Sequence, residues 1–324
     1  MKRRQFLGSL AGALASGPAI ARAQTVAPRI GYLYTGPRSN VASRVEAVMT
    51  GLRESGVAAT TQVELVVRTT DGNPALIAPL IDEIVAAHVN LFIAQGLAVT
   101  HAFRKVAPDV PIVAIDLETD PLASGIATSL AHPGGSITGV FLDFPDFTPK
   151  CLQMLTEIDP GLSRAAVLWD RNSGPVQMDA VRTAASSMKI DLDVLTVQLP
   201  SDFENAFSAA QQHGIGAMLI LSSPLIPANL QKLSDLALRY RIAAITLFPD
   251  FARVGGLLAY GPNLLDLIRQ LGVMSGKVVQ GTKPADLPIE RPSKFELVLN
   301  LRTAKALGLS IPPGLLLRAD EVIE

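Results

Sequence analysis

The chain has 324 residues, of which 48% are hydrophobic, 18% are charged and 5% are aromatic. This composition excludes an intrinsically disordered protein, and the length predicts two lobes that can each bury a core. Without residues 1–23 the chain has 24 Lys and Arg against 29 Asp and Glu, and this net charge of −5 argues against a nucleic-acid partner.

The N-terminal segment has the layout of an export signal. A basic start, a short apolar stretch and small residues at Ala21 and Ala23 predict a signal peptide over residues 1–23, cleaved after Ala23. The arginine pair at positions 3 and 4 resembles a twin-arginine signal, and an ordinary secretory signal is the alternative. We therefore expect a periplasmic protein without stable membrane insertion after cleavage, because no later run of 18 apolar residues follows.

From residue 29 onward, short apolar runs alternate with helical patterns. The runs are rich in Val, Ile and Leu and lack strict polar alternation, which is typical of strands covered on both faces. The predicted strands are 29–34, 63–69, 90–95, 111–116, 165–170, 191–198, 216–222 and 243–248, and the predicted helices are 41–55, 75–87, 175–188, 203–212 and 227–240. This alternation predicts parallel sheets built from βαβ units, with helices on both faces.

Two stretches that lie half the chain apart begin alike. Residues 29–40 read RIGYLYTGPRSN and residues 164–175 read RAAVLWDRNSGP. Each runs from Arg to a Leu-aromatic pair, breaks into turn-forming residues, and precedes a helix and a strand of nearly equal length. The repeat predicts an α/β fold with two similar, doubly wound parallel-sheet lobes, the second opening near residue 164.

The loops after the predicted strands should form the binding site, because ligand crevices lie outside the carboxyl ends of parallel strands. Their hydroxyl and amide side chains, beside helix starts, could hold a ligand carboxylate, although helix capping is the alternative for each. Aromatic residues at strand ends would cover an apolar part of the ligand. The candidate binding residues are Tyr34, Thr35, Gly96, Thr100, Asp116, Asp120, Asn172, Ser173, Ser222, Ser223 and Phe248.

Three carboxylates, Asp116, Glu118 and Asp120, alternate at the end of one predicted strand. In an extended chain all three would face one side, where they could hold an ammonium group, perform acid–base chemistry or lie in solvent. We favour an ammonium contact by Asp116 or Asp120, because no other catalytic signature accompanies them.

Motifs for catalysis, metals and cofactors are missing from the sequence. There is no G-x-S-x-G, no P-loop and no G-x-G-x-x-G after the first strand, and the four histidines lack metal-ligand spacing. The single cysteine, Cys151, cannot form an internal disulfide and is predicted to be a small buried side chain. We therefore predict that the protein is not an enzyme and has no cofactor.

The C-terminal third contains GGLLAYGPN and GTKPADLPIERPSKFELVLNLRTAKALGLSIPPGLLLRADEVIE, and TDPLASGIATSLAHPGGSITG lies upstream. These stretches closely resemble the ABC-transporter substrate-binding family that includes tryptophan-type binding proteins. The resemblance implies a periplasmic-binding-protein fold of type I, with two α/β lobes joined by a three-strand hinge. It also implies an ABC permease and an ATPase as partners.

From the repeat and the resemblance we expect a first lobe of residues 27–118 and 247–285, and a second of 119–246 and 286–324. The function expected is that of a monomeric solute-binding protein, which captures an amino acid or a related small carboxylate or aromatic acid for an ABC importer. The alternative is a periplasmic sensing module that presents the same ligand to a membrane receptor.

Overall fold

The computed structural model describes residues 27–57, 62–142 and 144–324, which form two helix-covered sheets. The predicted export signal, residues 1–23, lies outside the described residues. Within the described part of the chain, no helix is long and apolar enough to cross a membrane.

The first sheet contains five described strands, all parallel, in the spatial order β2-β1-β3-β4-β5. Strands β3 and β4 are buried along almost their whole length, as expected for strands covered on both faces. The elements are β1 Arg29–Tyr34, α1 Val41–Glu54, β2 Glu64–Thr69, α2 Ile77–Ala86, β3 Leu91–Gln95, α3 Leu97–Val106, β4 Ile112–Asp116 and β5 Ile137–Phe141.

The second sheet contains seven described strands in the order β12-β11-β10-β9-β8-β6-β7, and all neighbours are parallel except β10 and β11. Its strands are β6 Arg164–Asp170, β7 Asp191–Val197, β8 Ala217–Ile220, β9 Ala243–Thr246, β10 Leu258–Pro262, β11 Phe295–Asn300 and β12 Glu321–Ile323. The helices in this part of the chain are α4 Phe144–Ile158, α5 Val176–Met188, α6 Asp202–Gln212, α7 Leu230–Arg239, α8 Asp250–Arg253, α9 Leu264–Val279, α10 Leu301–Leu307 and α11 Pro313–Leu316.

The predicted repeat is confirmed by the strand order of the two sheets. The order β2-β1-β3-β4-β5 in the first sheet corresponds to β7-β6-β8-β9-β10 in the second, so β1 matches β6. In both sheets the winding direction reverses beside that strand, between β1 and β3 and between β6 and β8. Such reversal points open a crevice at the carboxyl ends of the strands, where ligands bind in α/β proteins.

Helix α9 follows a strand of the second sheet but packs against α1 of the first lobe. The contact is close because glycines meet at the crossing. A Cβ atom on Gly272 would lie 2.2 Å from the carbonyl oxygen of Val48 and 3.0 Å from Cα of Gly51. Both obstacles are backbone, so a side chain at this position would push the two helices apart.

Within the described residues the chain passes between the lobes three times: after β5, after β10 and before β11. Before the last passage the chain follows the edge of β5. There the Glu290 N–H donates to the Gly139 carbonyl, and the Glu290 carbonyl accepts from the Phe141 N–H. These passages form the hinge between the lobes.

The observed strand memberships differ from the predicted lobe boundaries. Residues 137–141, expected in the second lobe, form an edge strand of the first sheet, because the loop that follows β4 turns back instead of crossing. Residues 258–262, expected in the first lobe, pair with β9 and β11 in the second sheet. The chain therefore crosses later than the sequence indicated at both places.

Candidate functional site

A cavity of about 40 Å³ lies between the two lobes. Its walls are built mainly from residues that follow strands of both sheets, so a solute bound here would touch both lobes. The first lobe contributes Tyr34, Thr35, Gly36, Arg44, Gln95, Gly96, Ile115, Leu117 and Glu118, the second lobe contributes Ser223, Pro224, Pro227, Ala228 and Phe248, and Leu264 lies at the start of α9.

The ends of β1 and β3 form one wall of the cavity. Tyr34 is the last residue of β1 and is 2% exposed, and Thr35 follows it. Gly96 precedes α3 with φ of +86°, a backbone conformation that favours glycine, and its N–H donates to the Ile115 carbonyl over 2.8 Å. Three of the predicted contact residues, Tyr34, Thr35 and Gly96, thus reach the cavity.

Arg44 brings a buried positive charge to the same wall. It lies in the first turn of α1 and is 6% exposed. Its guanidinium carbon is 5.3 Å from the centroid of the Tyr34 ring, within range of a cation–π interaction. Its Nε and Nη1 are buried and have no hydrogen-bond partner among the described residues. This wall of the cavity is therefore electropositive.

Glu118 connects the two lobes across the cleft. Ser222 Oγ donates a hydrogen bond to Glu118 Oε1 over 2.6 Å. Ser222 is itself held by the Gln177 amide, which accepts from Ser222 N–H and donates to the Ser222 carbonyl, both at 2.8 Å. Burial, and then the nearby Asp116 carboxylate, raise the pKa of Glu118 to about 8. At neutral pH Glu118 is therefore mainly protonated in this arrangement.

The second lobe supplies a hydroxyl group and an apolar surface. Ser223 and Phe248, both predicted contacts, line the cavity and are almost completely buried. Ser223 Oγ also accepts from Leu225 N–H over 3.2 Å, which orients the loop after β8. Ser222 is fully buried, and its hydroxyl is directed to Glu118. Opposite these residues, Leu117 extends the apolar surface from the first lobe.

The expectation that the alternating carboxylates share one face is wrong, because the chain turns directly after Asp116. Asp116 is 1% exposed and accepts from Glu118 N–H and Thr119 Oγ, both at 2.8 Å, and burial raises its pKa. Asp120 is exposed and accepts from Leu122 N–H over 2.8 Å. Neither lines the cavity: the carboxylate that reaches it is Glu118.

Three other predicted contacts serve the local backbone. Thr100 Oγ donates to the Gly96 carbonyl over 3.0 Å, within α3. Ser173 Oγ donates to the Asp170 carbonyl over 2.6 Å, and Asn172 is exposed, with its N–H bound to the Asp170 carboxylate. None of these three residues lines the cavity, and the side chain that caps the turn after β6 is that of Asp170.

Sequence reasoning missed Arg44 and did not select Glu118. A signal for Arg44 was present, since it occupies the same helical face as Val48 and Leu52, where an apolar residue is usual. For Glu118 no local pattern distinguishes it from its two neighbouring carboxylates. Cys151 is buried, as predicted. Within the described residues no group of three or more His, Cys, Asp or Glu is placed to hold a metal ion.

Comparison with protein families gives a match to the model described as ABC transporter substrate binding protein, over residues 39–323. The tyrosine-binding protein of Clostridioides difficile (strain R20291) is 23% identical over 213 residues, which make up 64% of this chain. The alignment spans 60% of that relative, so this chain matches less than two thirds of its length.

Solved structures share the two-lobed fold. The ABC domain in complex with L-Trp from Streptococcus pneumoniae superposes with a TM-score of 0.83 at 20% identity, covering 92% of this chain and 100% of that one. The ligand-free, open structure of a substrate binding protein with adhesive properties from Clostridium difficile gives a TM-score of 0.66 at 19% identity, covering 91% and 99%. At these identities the likeness establishes the fold, which is that of type I periplasmic binding proteins.

Proposed function

The chain belongs to the ABC transporter substrate binding protein family, and from this premise we propose that it is an exported receptor for a small solute. It binds the solute between its lobes, closes around it without altering it, and delivers it to an ABC importer made of a permease and an ATPase. Periplasmic location after removal of residues 1–23, and action as a monomer, belong to the same proposal.

The observation that carries this proposal is the cavity with walls from both lobes. A solute held by Tyr34 and Gly96 of the first lobe would gain contacts to Ser223 and Phe248 when the second lobe closes. A ligand shifts an open–closed equilibrium only through such differential contacts. The three passages of the chain between the lobes permit a hinge motion that opens and closes the cleft.

The ligand that we propose is an amino acid or a related small carboxylate or aromatic acid. Leu117 and Phe248 offer apolar surface, and Thr35 and Ser223 offer hydroxyl groups. Glu118 replaces Asp116 and Asp120 as the group proposed to receive an ammonium, whose positive charge would lower the pKa of Glu118 and favour its ionised form. The names of the two relatives above also support this class, since one is a tyrosine-binding protein and the other was solved with L-Trp.

The proposal is tested by a thermal-shift screen of the purified mature chain against amino acids, aromatic acids, small carboxylates and neutral sugars. A solute present at 100 times its dissociation constant should add about 2.7 kcal/mol to the free energy of unfolding. Ala228→Trp, which places a large ring in the cavity wall, should abolish the shift. Ala78→Trp, on the exposed face of α2, is the matched control and should preserve it.

Two results would count against the proposal. Binding that survives in Ala228→Trp would place the site outside the cleft. Delivery to an importer is tested separately, by uptake of the identified solute in cells that lack this protein. Normal uptake in those cells, despite binding by the purified protein, would show that delivery to an importer is wrong.

A further inference from the structure

The chemistry of Arg44 indicates the charge of the ligand. We infer that Arg44 is the anion anchor of the cavity and that the solute carries a carboxylate group, which the guanidinium holds. This inference rests on the proposed function and deepens it, because it assigns a recognition residue and limits the ligands to organic carboxylates with an apolar body.

The position of Arg44 in its helix is one that normally belongs to the core. The buried face of α1 consists of Arg44, Val48, Gly51 and Leu52, which follow the spacing of a helical stripe. An apolar residue would be the usual occupant of the first position. Here an arginine residue that is 94% buried ends the stripe, at the point where the helix face meets the cavity.

The guanidinium lacks the partners that a buried charge normally has. Its Nε and Nη1 have no acceptor, and no carboxylate forms an ion pair with it, within the part of the chain that the structure describes. Arg253 shows the contrast, because it is less buried and still binds three carboxylates. The Tyr34 ring stabilises the charge of Arg44 but accepts no conventional hydrogen bond. Burial of an unpaired charge is costly, so a carboxylate from outside the chain accounts for it.

The position of Arg44 in the helix also favours a bound anion. Arg44 lies in the first turn of α1, where the N–H groups and the helix dipole favour an anion and disfavour a cation. A carboxylate held by the guanidinium would offset this unfavourable position of the cation, whereas a neutral solute or an amine would not.

The remaining walls favour an organic carboxylate over an inorganic anion. Among the described residues that line the cavity, Arg44 is the one Lys or Arg, and Ile115, Leu117 and Phe248 are apolar. Phosphate would lose its hydration against these walls for a single cation. A carboxylate with an apolar body pairs its one charge with Arg44 and buries the remainder against the apolar side chains.

The inference is tested with matched probes that differ in charge: L-phenylalanine and L-phenylalaninamide, phenylacetate and phenylacetamide, and isovalerate and isovaleramide. Inorganic phosphate and D-ribose complete the panel. Binding to the mature chain is measured by isothermal titration calorimetry. At least one carboxylate should bind about 10- to 100-fold more tightly than its amide, which is the range for a hydrogen bond to a charged group, and phosphate should not compete with it.

Arg44→Met and the exposed control Arg38→Met separate recognition from structure. Arg44→Met should lose the preference for the carboxylate and keep a ligand-free melting temperature at or above that of the wild type, whereas Arg38→Met should bind normally. Three results would overturn the assignment of Arg44 as the anchor and leave the proposed function standing. They are equal binding of an amide and its carboxylate, tight binding of ribose alone, and a lower melting temperature for Arg44→Met with unchanged binding. Failure of the entire panel would count against the proposed function itself, and with it the anchor.

Discussion

Lobe closure in the absence of solute should depend on pH through Glu118. In the closed arrangement, burial and the Asp116 carboxylate raise the pKa of Glu118 from 4.5 to about 8. Opening the cleft returns water to the carboxyl group, so its pKa should fall toward the ordinary value; loss of the Ser222 hydrogen bond, which favours the ionised form, opposes part of this fall. Closure therefore takes up a proton. The stabilisation of the closed form is complete below about pH 4.5 and is lost as the pH rises through about 8.

The magnitude follows from linkage to one proton. The ratio of closed to open molecules can change by at most about tenfold per pH unit, equivalent to about 1.4 kcal/mol. The limit between pH 8 and pH 6 is therefore roughly 100-fold, and we expect about 10-fold. The reduction reflects the repulsion from the Asp116 carboxylate, which belongs to the same lobe as Glu118 and persists on opening.

Small-angle X-ray scattering of the ligand-free mature chain measures this equilibrium as the radius of gyration, which should increase between about pH 6 and pH 8. Glu118→Gln retains an oxygen that can accept from Ser222 but cannot ionise, so this variant should stay compact at both pH values. Asp120→Asn removes an exposed carboxylate two residues away and should keep the wild-type profile. If Glu118→Gln follows the same pH profile as the wild type, the assignment of the proton to Glu118 is refuted.

Three further predictions concern the framework of the site. Gly272→Ala should lower the free energy of unfolding, measured in urea, by about 1–3 kcal/mol through overpacking of α1 and α9. At Gly216 an added Cβ meets nothing within 4 Å, so Gly216→Ala should change the same quantity by less than about 0.5 kcal/mol. Equal effects of the two substitutions would contradict the packing argument. Gln177→Leu leaves the buried N–H and carbonyl of Ser222 unpaired, so we expect a loss of about 1–3 kcal/mol per group in the same assay, and an unchanged midpoint would show that these bonds contribute nothing. Asn263→Ala removes the side-chain cap of α9 at a passage between the lobes and should lower stability by about 1 kcal/mol, measured by thermal unfolding; an unchanged melting temperature would mean that solvent caps the helix equally well.

The sequence was sufficient to predict the local elements and the doubling of the fold. The runs at 29–34 and 111–116 became strands at or within one residue of the expected bounds, and the pattern at 41–55 became α1. These predictions succeed because hydrophobic periodicity and turn chemistry act over a few residues and are therefore visible in the sequence. The shared opening of residues 29–40 and 164–175 was likewise enough to predict two similar lobes.

The identity of the residues that reach the cavity was decided only by the tertiary structure. Glu118 enters the cleft and Asp116 does not, because the chain turns where an extended strand was assumed. Arg44 becomes an unpaired buried charge only when α1 packs on its sheet, beside Tyr34. The allocation of β5 to the first sheet likewise depends on pairing with β4. Each of these outcomes depends on contacts between residues distant in sequence or on a turn held by buried side chains, and local periodicity contains no information about either.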